Sequence, residues 1–403
     1  MTGAGKGPLK GVRVLDLTSV LMGPYTTQIM ADLGADVIKV EAPSGDTTRS
    51  LPPGPEDNLG AMFMNVNRGK RSIVLDLKDE HAREALLRLA EDSDVFIHSM
   101  RGRAIERLGL DYPSVGASNP RIIYANLYGY GKTGPYADYP AYDDIVQAAS
   151  GIVSLQAALS GGEPTYLATV VADKVAGLTA AYAVMAALFE RERHGHGQEI
   201  EVPMFETLAS FSMVEHLCGA MFNPPIGPTG YPRALSPQRR PYRTADGYIA
   251  VMIYNDRHWS NFFDAIGNPE WSKDPMFKSL RTRTQNITQV LGQLSKVLET
   301  RTTEEWMAVL TQAQCPAMPV RSIDDLLDDP HLEQVGFWHQ VHSADGNMRM
   351  PGVPVSFSQT PGEPGQPGPR LGQHSREILE EANFTPEEIE RLAGPPQQNR
   401  QSG

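Results

Sequence analysis

Residues 11–41 read "GVRVLDLTSVLMGPYTTQIMADLGADVIKVE", and this stretch decides the fold class. "GVRVLDL" is a short run rich in β-formers. "GPYTTQIMADLGA" carries apolar residues at helical spacing with Gly34 near its end, and "DVIKVE" reads as a second strand. The alternation continues through "SIVLDLK" (72–78, strand), "DEHAREALLRLAEDS" (79–93, helix), "DVFIHSM" (94–100, strand) and "RIIYANLYGYG" (121–131, strand). Strands alternating with helices imply βαβ units, hence an α/β fold with a parallel sheet. Ligands in such sheets sit beyond the carboxyl ends of the strands. Here those ends are "TSVLMGP" (18–24), "EAPSGD" (41–46) and "HSMRGR" (98–103). No G-x-G-x-x-G follows the first strand, so the dinucleotide fingerprint is missing.

Further along, "TYLATVVADKVAGLTAAYAVMAALFERERHGHGQ" (165–198) sets Asp173 among Val, Ala and Gly, with no other acidic residue before Glu190. A lone aspartate before a helix is commonly an N-cap; in a dry pocket it is a candidate nucleophile. The helix after it is rich in Ala and Gly, so another backbone can approach closely. It ends at basic residues ahead of Gly195 and Gly197. "EIEVPMFETLASF" (199–211) then gives a strand and a helix. From Asn223 the texture changes to "NPPIGPTGYPRALSPQRRPYRTADG" (223–247), a Pro/Gly/Arg-rich connection where a domain boundary is expected. "GYIAVMIY" (247–254) and the helices through "WMAVLTQAQ" (306–314) predict a smaller α+β domain, and the tail predicts a Pro/Gly linker with two short helices. The expected division is 1–222, 223–330 and 331–403.

Length alone calls for more than one domain at 403 residues, and a formal charge of −12 argues against a nucleic-acid platform. The two cysteines, Cys218 and Cys315, fit a reducing compartment, and neither has the His/Cys neighbours of a zinc site. "MTGAGKGPLKGVRVLDL" has no apolar signal-peptide core. The run "GLTAAYAVMAALF" (177–189) is shorter than the ~20 residues that span a bilayer. A cytoplasmic protein with no membrane partner is expected.

Six segments, in this order, resemble the class III CoA-transferases, the family that includes formyl-CoA:oxalate and carnitine CoA-transferases. They are "PLKGVRVLDLTSVLMGPYTTQIMADLGADVIKVE" (8–41), "NRGKRSIVLDLK" (67–78), "YGYGKTGPYADYPAYDDIVQAASG" (128–151), "VVADKVAG" (170–177), "RERHGHGQEIEVPMFE" (191–206) and "LGQHSREIL" (371–379). The resemblance implies a Rossmann-like large domain built from both chain ends, an inserted smaller α+β domain, and two subunits interlocked as a homodimer. It implies a CoA-transferase with no metal and no permanently bound cofactor. Its partners would be an acyl-CoA thioester, succinyl-CoA among the candidates, and a small carboxylic acid.

The same resemblance puts the catalytic aspartate at Asp173. The chemistry agrees: a carboxylate can attack a thioester, form a mixed anhydride, and be loaded with CoA in turn. Such a site must exclude water, and helix N–H groups near Asp173 are expected to support its charge. Nucleotide contacts map onto Val20, Leu21, Met22, Leu75, Lys78 and Arg107. Some relatives carry a CoA-binding arginine at the position of Ala42; Arg49, Arg71, Arg101 and Arg103 are the candidates to replace it.

Relatives that racemise 2-methylacyl-CoA use a histidine where this chain has Tyr142, next to Asp143. A second acid/base needs a pKa near working pH, and a phenol near 10 suits that poorly. Tyr142 is therefore a packed ring or a substrate-shaping one. An isomerase of that kind, and a non-catalytic CoA-binding subunit of a heteromer, remain the alternatives. In place of the family's glycine-rich loop stands "ALSPQRRPYRTADG" (234–247), where Arg239 and Arg240, with Arg243, either hold the distal carboxylate of a dicarboxylic acid or form a basic linker. Gln147, Gly131 and Gly134 are expected to shape loops or lie near substrate.

Overall fold

The computed structural model describes residues 6–343 and 346–394. They group into two compact units. The first takes the chain up to Ser150, Ala168–Phe211 and the described residues from His331 on; the second takes Gly151–Leu167 and Ser212–Pro330.

Six strands build the first unit's sheet: β1 (Arg13–Leu17), β2 (Asp36–Glu41), β3 (Arg71–Val74), β4 (Val95–His98), β5 (Ile123–Tyr128) and β6 (Gln198–Pro203). Every pairing among them is parallel, and the order is β3-β2-β1-β4-β5-β6. This is the doubly wound order, with its reversal between β1 and β4. The central strands β4 and β5 are buried at every residue, as expected where helices cover both faces of a parallel sheet. The helices are α1 (Met22–Asp32), α2 (Ala61–Val66), α3 (Glu80–Glu91), α4 (Gly102–Arg107), α5 (Tyr112–Ser118), α6 (Asp143–Ala149), α7 (Ile152–Ser160, in the second unit), α8 (Val171–His194) and α9 (Met204–His216), which carries the chain out of the first unit.

Asp79 caps α3 by accepting from the His81 N–H (3.0 Å), and Leu86 and Leu89 face the core. That core joins Leu15, Ile38, Phe96 and Tyr124 to Ile378 and Ile389, which lie on α15 (Ser375–Glu381) and α16 (Pro386–Ala393). The last described segment thus belongs to the first unit's interior.

Helix α8 is longer than its apolar run predicts. At 24 residues it has the length and composition to cross a bilayer, and here it packs against α1, β5 and β6 through Ala172, Ala176, Gly177, Ala180 and Val184. The close neighbour expected from its small residues is α1. A Cβ at Gly177 would lie 2.8 Å from the Met22 carbonyl oxygen, and the Thr26 hydroxyl donates to the Gly177 carbonyl at 3.0 Å.

The second unit holds an antiparallel sheet of β7 (Tyr242–Arg243), β8 (Tyr248–Val251) and β9 (Ala317–Pro319). Helices α10 (Asp256–Ala265), α11 (Leu280–Gln285), α12 (Ile287–Leu298) and α13 (Thr303–Gln312) accompany it. Its core gathers Ile249, Trp259, Phe262, Phe277 and Trp306. The chain re-enters the first unit through α14 (Pro330–Gln334) and the hairpin strands β10 (Trp338–Ser343) and β11 (Gly346–Pro351).

Candidate active site

At the β1/β4 reversal a cavity of about 580 Å³ opens beyond the carboxyl ends of the strands. Val20 and Met22 enter it from the β1–α1 turn, Arg101 and Arg103 from the segment after β4, and Tyr142, Asp143 and Asp173 from α6 and α8.

Buried charges fix the β1–α1 turn. Asp16 accepts from the Thr18 N–H (2.9 Å), the Thr27 hydroxyl (2.6 Å) and the Lys70 ammonium (3.0 Å). These partners outweigh burial and hold its pKa well below the usual carboxylate range. Lys39 donates to the Thr18 carbonyl (2.9 Å) and to Asp46 (3.1 Å), and Asp46 also takes the Val20 N–H at 3.2 Å. Val20 sits at φ +69°. A β-branched residue is strained there by about 1–3 kcal/mol, so its surroundings must hold it in place.

Asp173 is the third residue of α8 and only 8 % exposed. The residue in N-cap position is Val170, which has no capping side chain. The N–H groups of Ala172 and Asp173 instead donate to Asp143 Oδ1, at 2.7 and 3.1 Å, while Asp143 Oδ2 accepts from Gln147 Nε2 at 2.6 Å. The expectation that helix donors support the charge of Asp173 is therefore corrected: Asp143 takes them. Burial first, and the Asp143 charge second, push Asp173 up to about 7. A carboxylate that basic, facing a cavity, can act as a nucleophile or as a proton acceptor.

The structure brings Val20, Met22, Tyr142 and Asp173 to one cavity. Leu75 and Lys78 border a second one of about 370 Å³, which shares Ser19 with the first. Leu21 is buried in the turn, and Arg107 is exposed with its Nε bonded to the Arg103 carbonyl (2.9 Å); neither lines these two cavities. Tyr142 is 69 % exposed, a rim residue and not a packed ring. Arg239 and Arg240 are exposed in the second unit, ahead of β7.

Two of the arginines considered in place of Ala42 are committed elsewhere. Arg49 is buried, donates to both oxygens of Glu41 (2.8 and 2.6 Å) and lies 3.7 Å over the Phe63 ring. Arg71 opens β3 at the amino edge of the sheet, paired with Asp36 and Glu381. Arg103 pairs with Asp138 at 2.8 Å, and Arg101 lines the cavity with no ion-pair partner among the described residues.

Asp143 was not singled out from the sequence. Its signal was the Asp–Gln pair four residues apart in "DDIVQ", which places both side chains on one face of a helix.

The chain is 35 % identical over 406 residues to the succinate–glutarate CoA-transferase of Agrobacterium fabrum, covering 97 % of this chain and 98 % of that one. It is 33 % identical over 390 residues to the succinyl-CoA:mesaconate CoA-transferase of Haloarcula hispanica, covering 93 % and 96 %. The crystal structure of a CaiB/BaiF family protein from Brucella suis superposes with a TM-score of 0.79 at 30 % identity, over 94 % of this chain and 100 % of that one. The sequence model of CoA-transferase family III matches residues 9–375. The chain belongs to CoA-transferase family III, enzymes that move coenzyme A between an acyl-CoA and a carboxylic acid.

Proposed function

We propose that this transferase works through an aspartyl-CoA thioester on Asp173, with succinyl-CoA as donor and a short dicarboxylic acid as acceptor. The observation that carries the mechanism is Asp173: a buried carboxylate facing the cavity, with no hydrogen-bond donor to its oxygens among the described residues, and with a pKa near 7. The donor and acceptor classes rest on the names of the two relatives.

An Asp173 oxygen attacks the thioester carbonyl; the C–S bond breaks and CoA leaves as thiolate. The thiolate attacks the aspartyl carbonyl of the mixed anhydride and expels the donor acid as carboxylate. The acceptor carboxylate then attacks the aspartyl thioester, the thiolate leaves again, and its return to the new acyl carbonyl frees Asp173. No proton is gained or lost over the cycle. In this reading CoA lies along the β1/β4 crevice, with Val20 and Met22 near the thioester and Leu75 and Lys78 by the nucleotide. Arg101, a cation on the wall with no ion-pair partner among the described residues, suits a phosphate.

The enzyme is further proposed to act as a cytoplasmic homodimer. Leu178, Tyr182 and Phe189 on α8 are exposed, which supports a covering partner.

Hydroxylamine tests the intermediate, because it cleaves an acyl thioester but not a free carboxylate. Inactivation is expected only when acyl-CoA is present, with the modification on the peptide that holds Asp173. Asp173→Ala should abolish transfer and leave CoA binding intact. Turnover by that variant, or an unmodified peptide during turnover, removes Asp173 from the role.

A further inference from the structure

We infer that Asp143 is a positioning residue of the transfer reaction: it takes the two N–H groups that open α8 and sets its own negative charge beside Asp173. The inference rests on Asp173 being the nucleophile. In an ordinary helix start those donors would serve an acid within the first turn and favour its ionised form. Here they converge on Asp143 Oδ1, and Gln147 fixes the other oxygen. Asp143 is itself 6 % exposed and held by three donors, while no hydrogen bond reaches the Asp173 oxygens among the described residues. One carboxylate takes the hydrogen bonds, and its neighbour is left buried with a like charge beside it, an arrangement that favours the protonated form of Asp173.

This division serves the chemistry. The first step exchanges a carboxylate for a thiolate as the group leaving the acyl carbon, and thiols are several units more basic than ordinary carboxylic acids. A more basic Asp173 narrows that gap, so the anhydride lies less far uphill and the attacking oxygen is the better nucleophile. The raised pKa of Asp173 agrees with this arrangement.

Among the described residues, Asp143 is the one charged group that shifts Asp173. On α8, Lys174 donates to Thr169 (2.7 Å). Around the cavity Arg103 pairs with Asp138 and Lys132 with Glu199, with Arg101 and Glu106 on the wall. Glu201 of β6 takes the Lys132 N–H at 2.8 Å, and Asp144 is exposed on α6. The phenols are Tyr25 on α1, which faces Gly177, and Tyr128, Tyr130, Tyr139 and Tyr142 on the cavity.

The test is the pH profile of kcat/KM for acyl-CoA in Asp143→Asn, which keeps an oxygen for the two N–H groups and loses the charge. The acid limb should move down by roughly one unit, and kcat at pH 8 should fall about tenfold with KM for acyl-CoA unchanged. Asp143→Glu keeps the charge and should keep the acid limb of the wild type. Asp143→Gln is the second neutral variant if the asparagine chain does not fold. An acid limb that stays put in the neutral variants, or that shifts equally in Asp143→Glu, overturns the inference and leaves Asp143 a helix cap. Hydroxylamine trapping on the wild type separates this from the parent reading. If the Asp173 peptide is never modified, the nucleophile fails; if it is modified and the acid limbs coincide, only the role of Asp143 fails.

Discussion

At Asp173, function and stability pull in opposite directions. Its folded pKa of about 7 lies above the ordinary 3.8. Between these values the unfolded chain has already released its proton while the folded chain still binds it. Stability therefore falls as pH rises through that window, and above it the fold carries the whole penalty of a buried, like-charged carboxylate. The shift corresponds to about 4 kcal/mol at most. Asp173→Asn removes the titration. Urea unfolding should find the variant close to wild type at pH 4 and more stable by one to a few kcal/mol at pH 8. A difference that does not change with pH would mean that Asp173 bears no such strain. This residue was legible because it is the one acidic residue between Glu163 and Glu190, in a run of small and apolar side chains. Asp143 was not, because its partner N–H groups lie 29 and 30 residues downstream and "DD" at a helix start reads as ordinary dipole-favourable acid.

At the level of elements, the strands were legible and several helices were not. β1 to β5 are short β-rich runs buried at nearly every residue, which a few buried polar side chains such as Asp16, Lys39 and Asn126 interrupt without hiding. Helices α4, α5 and α6 have six or seven residues each, too few turns for a periodicity to stand out. Committed arginines were equally hidden: Arg49 looks like a free phosphate ligand until Glu41 folds against it across the sheet edge. The α1–α8 contact belongs to this scale, and Gly177 is its test. A methyl there meets the Met22 carbonyl at 2.8 Å, a backbone atom that cannot swing aside. Gly177→Ala should push α8 from α1 at a cost of about 1–3 kcal/mol. Asp173 lies one turn earlier on the same face, so kcat should drop at least tenfold, as expected for displacement of a reacting group by a fraction of an ångström to an ångström. Unchanged kcat with a lowered Tm would show that the site tolerates the shift.

For the whole molecule, the open question is what covers α8. Leu178 and Tyr182 are four residues apart and Phe189 follows seven later, so the three share one face, and they are 50 %, 62 % and 64 % exposed. Phe211 on α9 is exposed as well. Against association stands a formal charge of −12 per chain, whose repulsion salt screens over about 10 Å at 0.1 M. Apolar burial is little weakened by salt, so the homodimer should tighten as salt is added. An assembly held by surface ion pairs would loosen. Light scattering should give twice the 44.1 kDa chain mass, and Tyr182→Glu combined with Phe189→Glu should return it to the single-chain value. Ile323→Ser, at an exposed apolar position of the second unit, is the control that leaves the mass unchanged. A wild type that weighs one chain at micromolar concentration in both low and high salt would mean that no second copy covers α8.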